Sequence, residues 1–265
     1  MRFRSIASGS SGNCIYTGTD RTHILIDAGI SCKRIEQSLN ALGISGTELS
    51  AILVTHEHSD HIQGLKVLSK HCRVPIYGTA GTIDAIRAGD REGVIDPSLF
   101  RVIRKNSDFV VGDYQVRAVP TSHDAADPCA YRLEAFGKAV AVMTDLGTFG
   151  EEQVRALSGL SGLLLESNHD IRMLETGSYP YVLKRRILSD FGHLSNEMSG
   201  RLLDRVLSPD LQFVLLGHLS EENNYPDLAL LSVKNEIDLS EFEWKSADFK
   251  IEVAGRHEPS AVYEL

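Results

Sequence analysis

The chain has 265 residues, 42% of them hydrophobic and 24% charged, so it is a globular sequence able to bury a substantial core. Its formal charge of −9 excludes a protein that holds nucleic acid mainly through a global positive field; a local basic groove or a metal-centred site that touches phosphate stays open. The four cysteines (Cys14, Cys32, Cys72 and Cys129) form no CxxC pair, which speaks against a disulfide framework and a thiolate zinc site. No apolar run suits a membrane span and the N-terminus lacks a secretory signal, so the expectation is a cytoplasmic protein with no membrane partner.

In chain order, Arg2–Ala7, Cys14–Gly18 and Thr22–Asp27 read as strands, with a Ser/Gly loop over Ser8–Asn13. Ser31–Leu42 reads as a helix, with Ser31 as N-cap, Ile35, Leu39 and Leu42 on one face and Gly43 past its end. Ala51–Val54 is a buried strand, Asp60–His71 a helix, Pro75–Tyr77 a strand and Thr79–Ala88 a helix. From Phe100 to Val142 the pattern is almost wholly β, through Phe109–Val111, Tyr114–Val119, Ala130–Glu134 and Ala139–Met143. Glu151–Leu157, Tyr181–Ser189, Ser195–Leu207 and Tyr225–Ile237 read as helices; Gly162–Glu166, Leu211–Leu216 and a closing Asp248–Val253 read as strands. Runs of strands with helices between them predict two packed sheets with helices outside. Neither half carries a complete site, so residues 1–265 are expected to form one domain.

The chemistry concentrates in Thr55-His56-Glu57-His58-Ser59-Asp60-His61, directly after the buried strand. A loop at the C-terminal end of a strand is where α/β proteins place ligand sites. His56 and His58 alternate along an extended loop and share one side, while Asp60 and His61 open the next helix and can aim at a neighbouring point. Two adjacent clusters of ligand-type residues are what a two-metal centre requires. Imidazole and carboxylate without thiolate suit Zn, Mn or Fe. His123, Asp145, Glu166 and His218 each fall at or just past the end of a predicted strand, repeating the same placement.

The HxHxDH segment followed by His, Asp and His at strand ends resembles the metallo-β-lactamase superfamily over the whole chain. The resemblance implies a four-layer αββα sandwich, an α/β fold with two divalent metal ions (Zn, Mn or Fe) in a groove at the sheet edges. It implies that His56, His58 and His123 bind one metal, that Asp60, His61 and His218 bind the other, and that Asp145 bridges. Asp27 matches the aspartate of the superfamily's first motif, which supports the metal loop rather than binding metal. An aspartate at the bridging position resembles the hydrolases and phosphodiesterases more than the antibiotic-degrading lactamases.

Gly192-His193-Leu194-Ser195-Asn196, with Glu166 upstream, resembles the tRNA 3′-processing nucleases and their phosphodiesterase relatives. That likeness implies that His193 protonates the leaving oxygen and Glu166 orients it, with Asp60 a third member of the catalytic set; otherwise His193 merely precedes Ser195 as a helix N-cap. Ala7-Ser8-Gly9-Ser10-Ser11-Gly12-Asn13, with Gly217-His218-Leu219-Ser220-Glu221-Glu222-Asn223-Asn224, resembles the YycJ/WalJ family, described as metal-dependent 5′-to-3′ DNA exonucleases. Ser10, Ser11 and Asn13 would then contact substrate phosphate, or the loop is only a tight β-turn. Lys184, Arg185, Arg186 and Arg172 form either a basic rim or a solvated helix face, and His169 has no assigned role.

The expectation is a phosphodiesterase in which two ions share a hydroxide, with nucleic acid, DNA foremost, as the substrate partner. The alternatives are a phosphodiesterase on a small or cyclic phosphate ester, a non-catalytic metal-loaded regulatory module, and a thioester or lactone hydrolase.

Overall fold

The computed structural model describes all 265 residues, Met1–Leu265. Its first half builds β1 (Arg2–Ala7), β2 (Cys14–Gly18), β3 (His23–Ile26), α1 (Cys32–Asn40), β4 (Leu49–Leu53), α2 (Ser59–Ile62), α3 (Leu65–Cys72), β5 (Ile76–Thr79), α4 (Ala80–Gly89) and β6 (Phe100–Ile103). There follow β7 (Asp108–Val111), β8 (Tyr114–Pro120), β9 (Cys129–Ala135), β10 (Lys138–Met143), α5 (Glu151–Leu157), β11 (Gly162–Glu166), α6 (Ile171–Thr176) and α7 (Tyr181–Ile187). The chain closes with α8 (Asn196–Asp204), β12 (Phe213–Gly217), α9 (Pro226–Leu239), β13 (Ile251–Val253) and β14 (Tyr263–Glu264). No helix is long and apolar enough to cross a membrane.

Two seven-stranded sheets result, one ordered β14-β1-β2-β3-β4-β5-β6, the other β13-β12-β11-β10-β9-β8-β7. Strand alternation explains why they stack face to face. In β3, Ile24 and Ile26 point into the layer between the sheets, while Leu25 points to the outer layer under α1 and α3. In β12, Phe213 and Leu215 enter the middle layer, and Val214 and Leu216 face α8 and α9. Three apolar layers therefore separate four structural ones, the αββα sandwich that the sequence predicts. Neighbours β3 to β6 run parallel in one sheet and β10 to β13 in the other, so several strand ends open onto one edge.

Most predicted elements fall within a few residues of those found, and three differ. The helix expected over Asp60–His71 is two, α2 and α3, broken at Gln63–Gly64. Tertiary contact overrides helical periodicity there: Gly64 N donates to Ala28 O at 2.8 Å, and a side chain on Gly64 would lie 2.1 Å from Ile30 O. Ser31 occupies the N-cap of α1 but its side chain makes no capping bond, whereas Ser195 accepts from Met198 N at the start of α8. The chain also does not end its sheets at β13: β14 returns to pair with β1.

Gly29 pins the Ser/Gly loop to the His/Asp loop. A Cβ there would sit 1.7 Å from Asp60 O and 2.7 Å from Asn13 N. Gly29→Ala is expected to destabilise the fold by about 3 kcal/mol or more, since the obstructing atoms are backbone and cannot step aside. Gly89→Ala, with nothing within 4 Å, should leave stability nearly unchanged. Urea melts of the two variants check this.

Candidate metal centre

The end of β3 sets the first constraint. Asp27 follows Ile26 in the left-handed backbone region (φ 61°), as do Asp145 (φ 57°) and His218 (φ 55°), each just past a strand. Non-glycine residues avoid this region unless surrounding contacts hold them there. For Asp27 those contacts are hydrogen bonds: its carboxylate accepts from Thr55 N at 2.8 Å, Thr55 Oγ1 at 2.9 Å and His61 Nδ1 at 2.7 Å. Thr55 Oγ1 also lies 3.0 Å from His56 Nδ1, so one hydroxyl can donate to Asp27 and accept from His56. Asp27 thereby fixes both ring edges that face away from the groove and leaves the Nε2 atoms of His56 and His61 turned into it.

His123, past β8, donates from Nδ1 to Gly192 O at 3.0 Å, and its Nε2 faces His58 Nδ1 at 3.3 Å. His56, His58 and His123 form one cluster, and Asp60, His61 and His218 form a second, each with donor atoms within 4.8 Å of one another. Asp145 stands between them. Its Oδ2 is 3.1 Å from His61 Nε2, and its Oδ1 is 3.6 Å from both His123 Nε2 and His218 Nε2. The seven positions expected to hold metal therefore converge on one groove.

Glu166, wholly buried at the end of β11, anchors the second sheet's contribution. Oε1 accepts from His193 Nδ1 at 2.8 Å and from His218 Nδ1 at 2.9 Å; Oε2 accepts from Leu146 N at 2.9 Å and Leu194 N at 3.2 Å. Burial alone would raise its carboxyl, but the facing imidazoles of His193 and His218 outweigh this and hold it down at about 2. Glu166 is a buried anion that orients two histidines.

The charges divide the site. Burial, and then His61 beside it, holds His56 well below the ordinary histidine range, and burial likewise lowers His123. Burial opposes charge on His61 too, but Asp145 and Asp27 at its two ring nitrogens lift it well above that range. His218 behaves likewise and is raised to about 10 by Asp145, Asp60 and Glu166. Asp60 and Asp145 resist the same desolvation because the histidines facing them hold both carboxyls well below the usual range.

These residues fit divalent metal. His56 Nε2 is buried without a hydrogen-bond partner, and Asp145 Oδ2 makes no well-aligned bond, so the groove holds donor atoms that the protein itself leaves unsatisfied. Each ligand-type histidine except His58 has its Nδ1 turned to an oxygen outside the groove, the arrangement that fixes a metal-ready tautomer.

The other sequence-predicted residues divide. Ser10 and Ser11 are exposed, at the tip of a tight turn closed by Gly12 N to Gly9 O at 3.0 Å. Asn13 is not available to a substrate: it is buried, and its side chain bonds Gly9 N and Gly9 O and faces His61 Nε2 at 3.2 Å. Ser8, also buried, accepts from His218 N, so this loop braces the second cluster. In the basic stretch, Lys184 donates to Glu175 O and Gly177 O, and the exposed Arg186 pairs with Asp124, while Arg185 and Arg172 are exposed and make no ion pair. His169 is buried with its Nδ1 3.3 Å from Asn168 Oδ1, and burial lowers it to about 4. Sequence reading misses Thr55, whose hydroxyl organises two histidines, although its place between a buried strand and HxHxDH is a signal. It also misses Arg256, which donates to Leu219 O at 2.6 Å beside the Ser/Gly turn and carries no sequence signal.

The β-lactamase superfamily domain matches residues 22–214 of the chain. Exodeoxyribonuclease WalJ of Streptococcus pneumoniae serotype 2 is 36% identical over 251 residues, which cover 95% of this chain and 93% of that protein. Exodeoxyribonuclease YycJ of Bacillus anthracis is 37% identical over 233 residues, 88% of each chain. The crystal structure of the metallo-β-lactamase fold protein YhfI from Bacillus subtilis superposes with a TM-score of 0.73 over 100% of this chain and 99% of that one, at 15% identity, a likeness of fold. The chain belongs to the β-lactamase superfamily and, within it, to the WalJ/YycJ family.

Proposed function

We propose that this protein is a metal-dependent 5′-to-3′ DNA exonuclease, and that residues 1–265 work as one domain because each ligand cluster draws on both sheets. The observation that carries the reading is the Glu166–His193 pair beside two converging His/Asp clusters. His56, His58 and His123 would hold one divalent ion, Asp60, His61 and His218 a second, with Asp145 between them. Donors that are all nitrogen and oxygen fit Zn, Mn or Fe. When bound, such ions supply Lewis acidity that lowers the pKa of a water and neutralises charge on a phosphodiester.

The chain's own groups do the rest. Glu166 holds His193 by Nδ1, so Nε2 lies on the free edge of a side chain that is 18% exposed and can deliver a proton to a departing oxygen. The Glu166 anion stabilises the imidazolium before that transfer and keeps the ring aimed after it. Asp27 and Thr55 hold His56 and His61 without moving, which lowers the reorganisation needed during reaction. Support for DNA comes from the names of the two bacterial relatives, both exodeoxyribonucleases. A long substrate is also favoured by the exposed side chains of the segment that precedes His193 in the chain. Tyr181, Val182 and Phe191 are exposed by 73%, 79% and 59%, and Arg185 lies 5.9 Å over the Tyr181 ring. Aromatic faces with an arginine suit stacked bases and a phosphate backbone better than a small ester.

Metal-reconstituted protein should shorten end-labelled DNA from the 5′ end. If it cleaves only a small bis-aryl phosphate and leaves single- and double-stranded DNA intact, the small-ester reading replaces this one. His58→Ala and His123→Ala should abolish cleavage. His193→Ala should slow turnover about 10²–10⁴-fold with metal content unchanged; lost metal would make it structural instead. Loading should also be pH-dependent in one cluster. Metal-free His61 and His218 are raised, so they carry protons at neutral pH that a cation must displace, while His56 and His123 are lowered and have none to lose. Protons should therefore leave as the second cluster loads at pH 7, and its affinity should fall as pH drops. Calorimetry in two buffers of different ionisation enthalpy measures both.

A further inference from the structure

The packing of α1 on α3 gathers another set of donors. Cys32 and Glu36 are four apart on α1, the spacing that puts two side chains on one helix face. His71 and Cys72 end α3, which packs against α1. Cys32 Sγ lies 3.9 Å from His71 Nδ1, and His71 Nδ1 lies 3.5 Å from Glu36 Oε1. One donor atom from each of the three falls within 4.8 Å of the other two. Around a tetrahedral zinc with ordinary Zn–S and Zn–N bonds, neighbouring donors stand about 3.3–3.6 Å apart. Side-chain rotation alone can close the remaining difference.

Access and chemistry agree with that geometry. Cys32 is nearly buried, whereas the His71 and Glu36 side chains are 55% and 39% exposed, so a cation meets the harder donors first and the thiol behind them. We propose that Cys32, Glu36 and His71 form a separate metal site that takes a borderline-soft divalent ion of the zinc type, with the fourth position left to water. A thiolate, an imidazole and a carboxylate form a donor set that the main groove does not have, and sulfur selects against the harder ions that an all nitrogen-and-oxygen centre accepts. Burial and then the Glu36 carboxylate push the Cys32 thiol up to about 11, so ligation expels its proton and weakens toward low pH. An ion held here ties the first turn of α1 to the last turn of α3, and both helices follow segments that fix the His/Asp loop.

Cobalt separates this site from the groove. Full-length protein is stripped with chelator and titrated with Co²⁺ alone while the near-ultraviolet band of cobalt–thiolate charge transfer is followed. The nitrogen and oxygen donors of the groove cannot produce that band. The wild-type chain should show it, saturating with one cobalt, and Cys32→Ser should lose it while the visible bands of groove-bound cobalt remain. His71→Ala and Glu36→Gln should shift its midpoint to at least tenfold higher cobalt, and Cys72→Ser should leave it in place. Absence of the band in wild type, its survival in Cys32→Ser, or its loss in Cys72→Ser overturns the assignment. Activity toward DNA should be unchanged in Cys32→Ser, so failure of the nuclease reading and failure of this one are separate results.

Discussion

Glu166 carries the constraint on which the groove depends. One buried carboxylate satisfies two imidazoles and two backbone amides, and these belong to the turn after β10, the segment before α8 and the turn after β12. Removing it would leave His193 and His218 without an orienting acceptor and two buried amides unsatisfied, a loss that no single neighbour could repair. Asp27 does the equivalent work on the other sheet, through Thr55 and His61. Each sheet thus supplies one buried anion whose task is to aim histidines, and the groove forms where their targets converge.

This division accounts for what could be read from the sequence. HxHxDH is visible because its members are consecutive and follow a buried strand, so local geometry alone places them on one side. His123, Asp145 and His218 are visible as repeated strand-end residues, and the family likeness joins them to the loop. The Glu166–His193 pair spans 27 residues and two helices, so residue types alone only suggest it. Asn13 shows the limit: a polar side chain in a Ser/Gly loop suits a ligand contact, yet tertiary packing buries it against Gly9 and His61. The break at Gly64 has the same origin, since backbone contacts with Ala28 and Ile30 are made only once the fold has closed. Cys32 and His71, 39 residues apart, meet for the same reason.

The overall charge of −9 does not set the field inside the groove. Several acidic groups are committed inside it, Asp27, Asp60, Asp145 and Glu166, and each faces histidine nitrogens. Positive potential can therefore arise locally, from divalent ions and protonated imidazoles, in a chain whose overall field is negative. Such a protein gains little from non-specific attraction to a duplex and relies on contacts near the scissile bond.

The sandwich has a mechanical consequence. Each ligand cluster takes two residues from the first sheet and one from the second: His56 and His58 with His123, Asp60 and His61 with His218. The gap between those partners is therefore set by the thickness of the apolar layer between the sheets, where Phe3, Tyr131 and Phe213 are the bulky spacers. Because a packed interior transmits strain, that layer works as a gauge block for the groove. A change of volume deep in the middle layer, remote from any histidine, would reset the spacing of the clusters at the edge, and with it the size of ion they could hold.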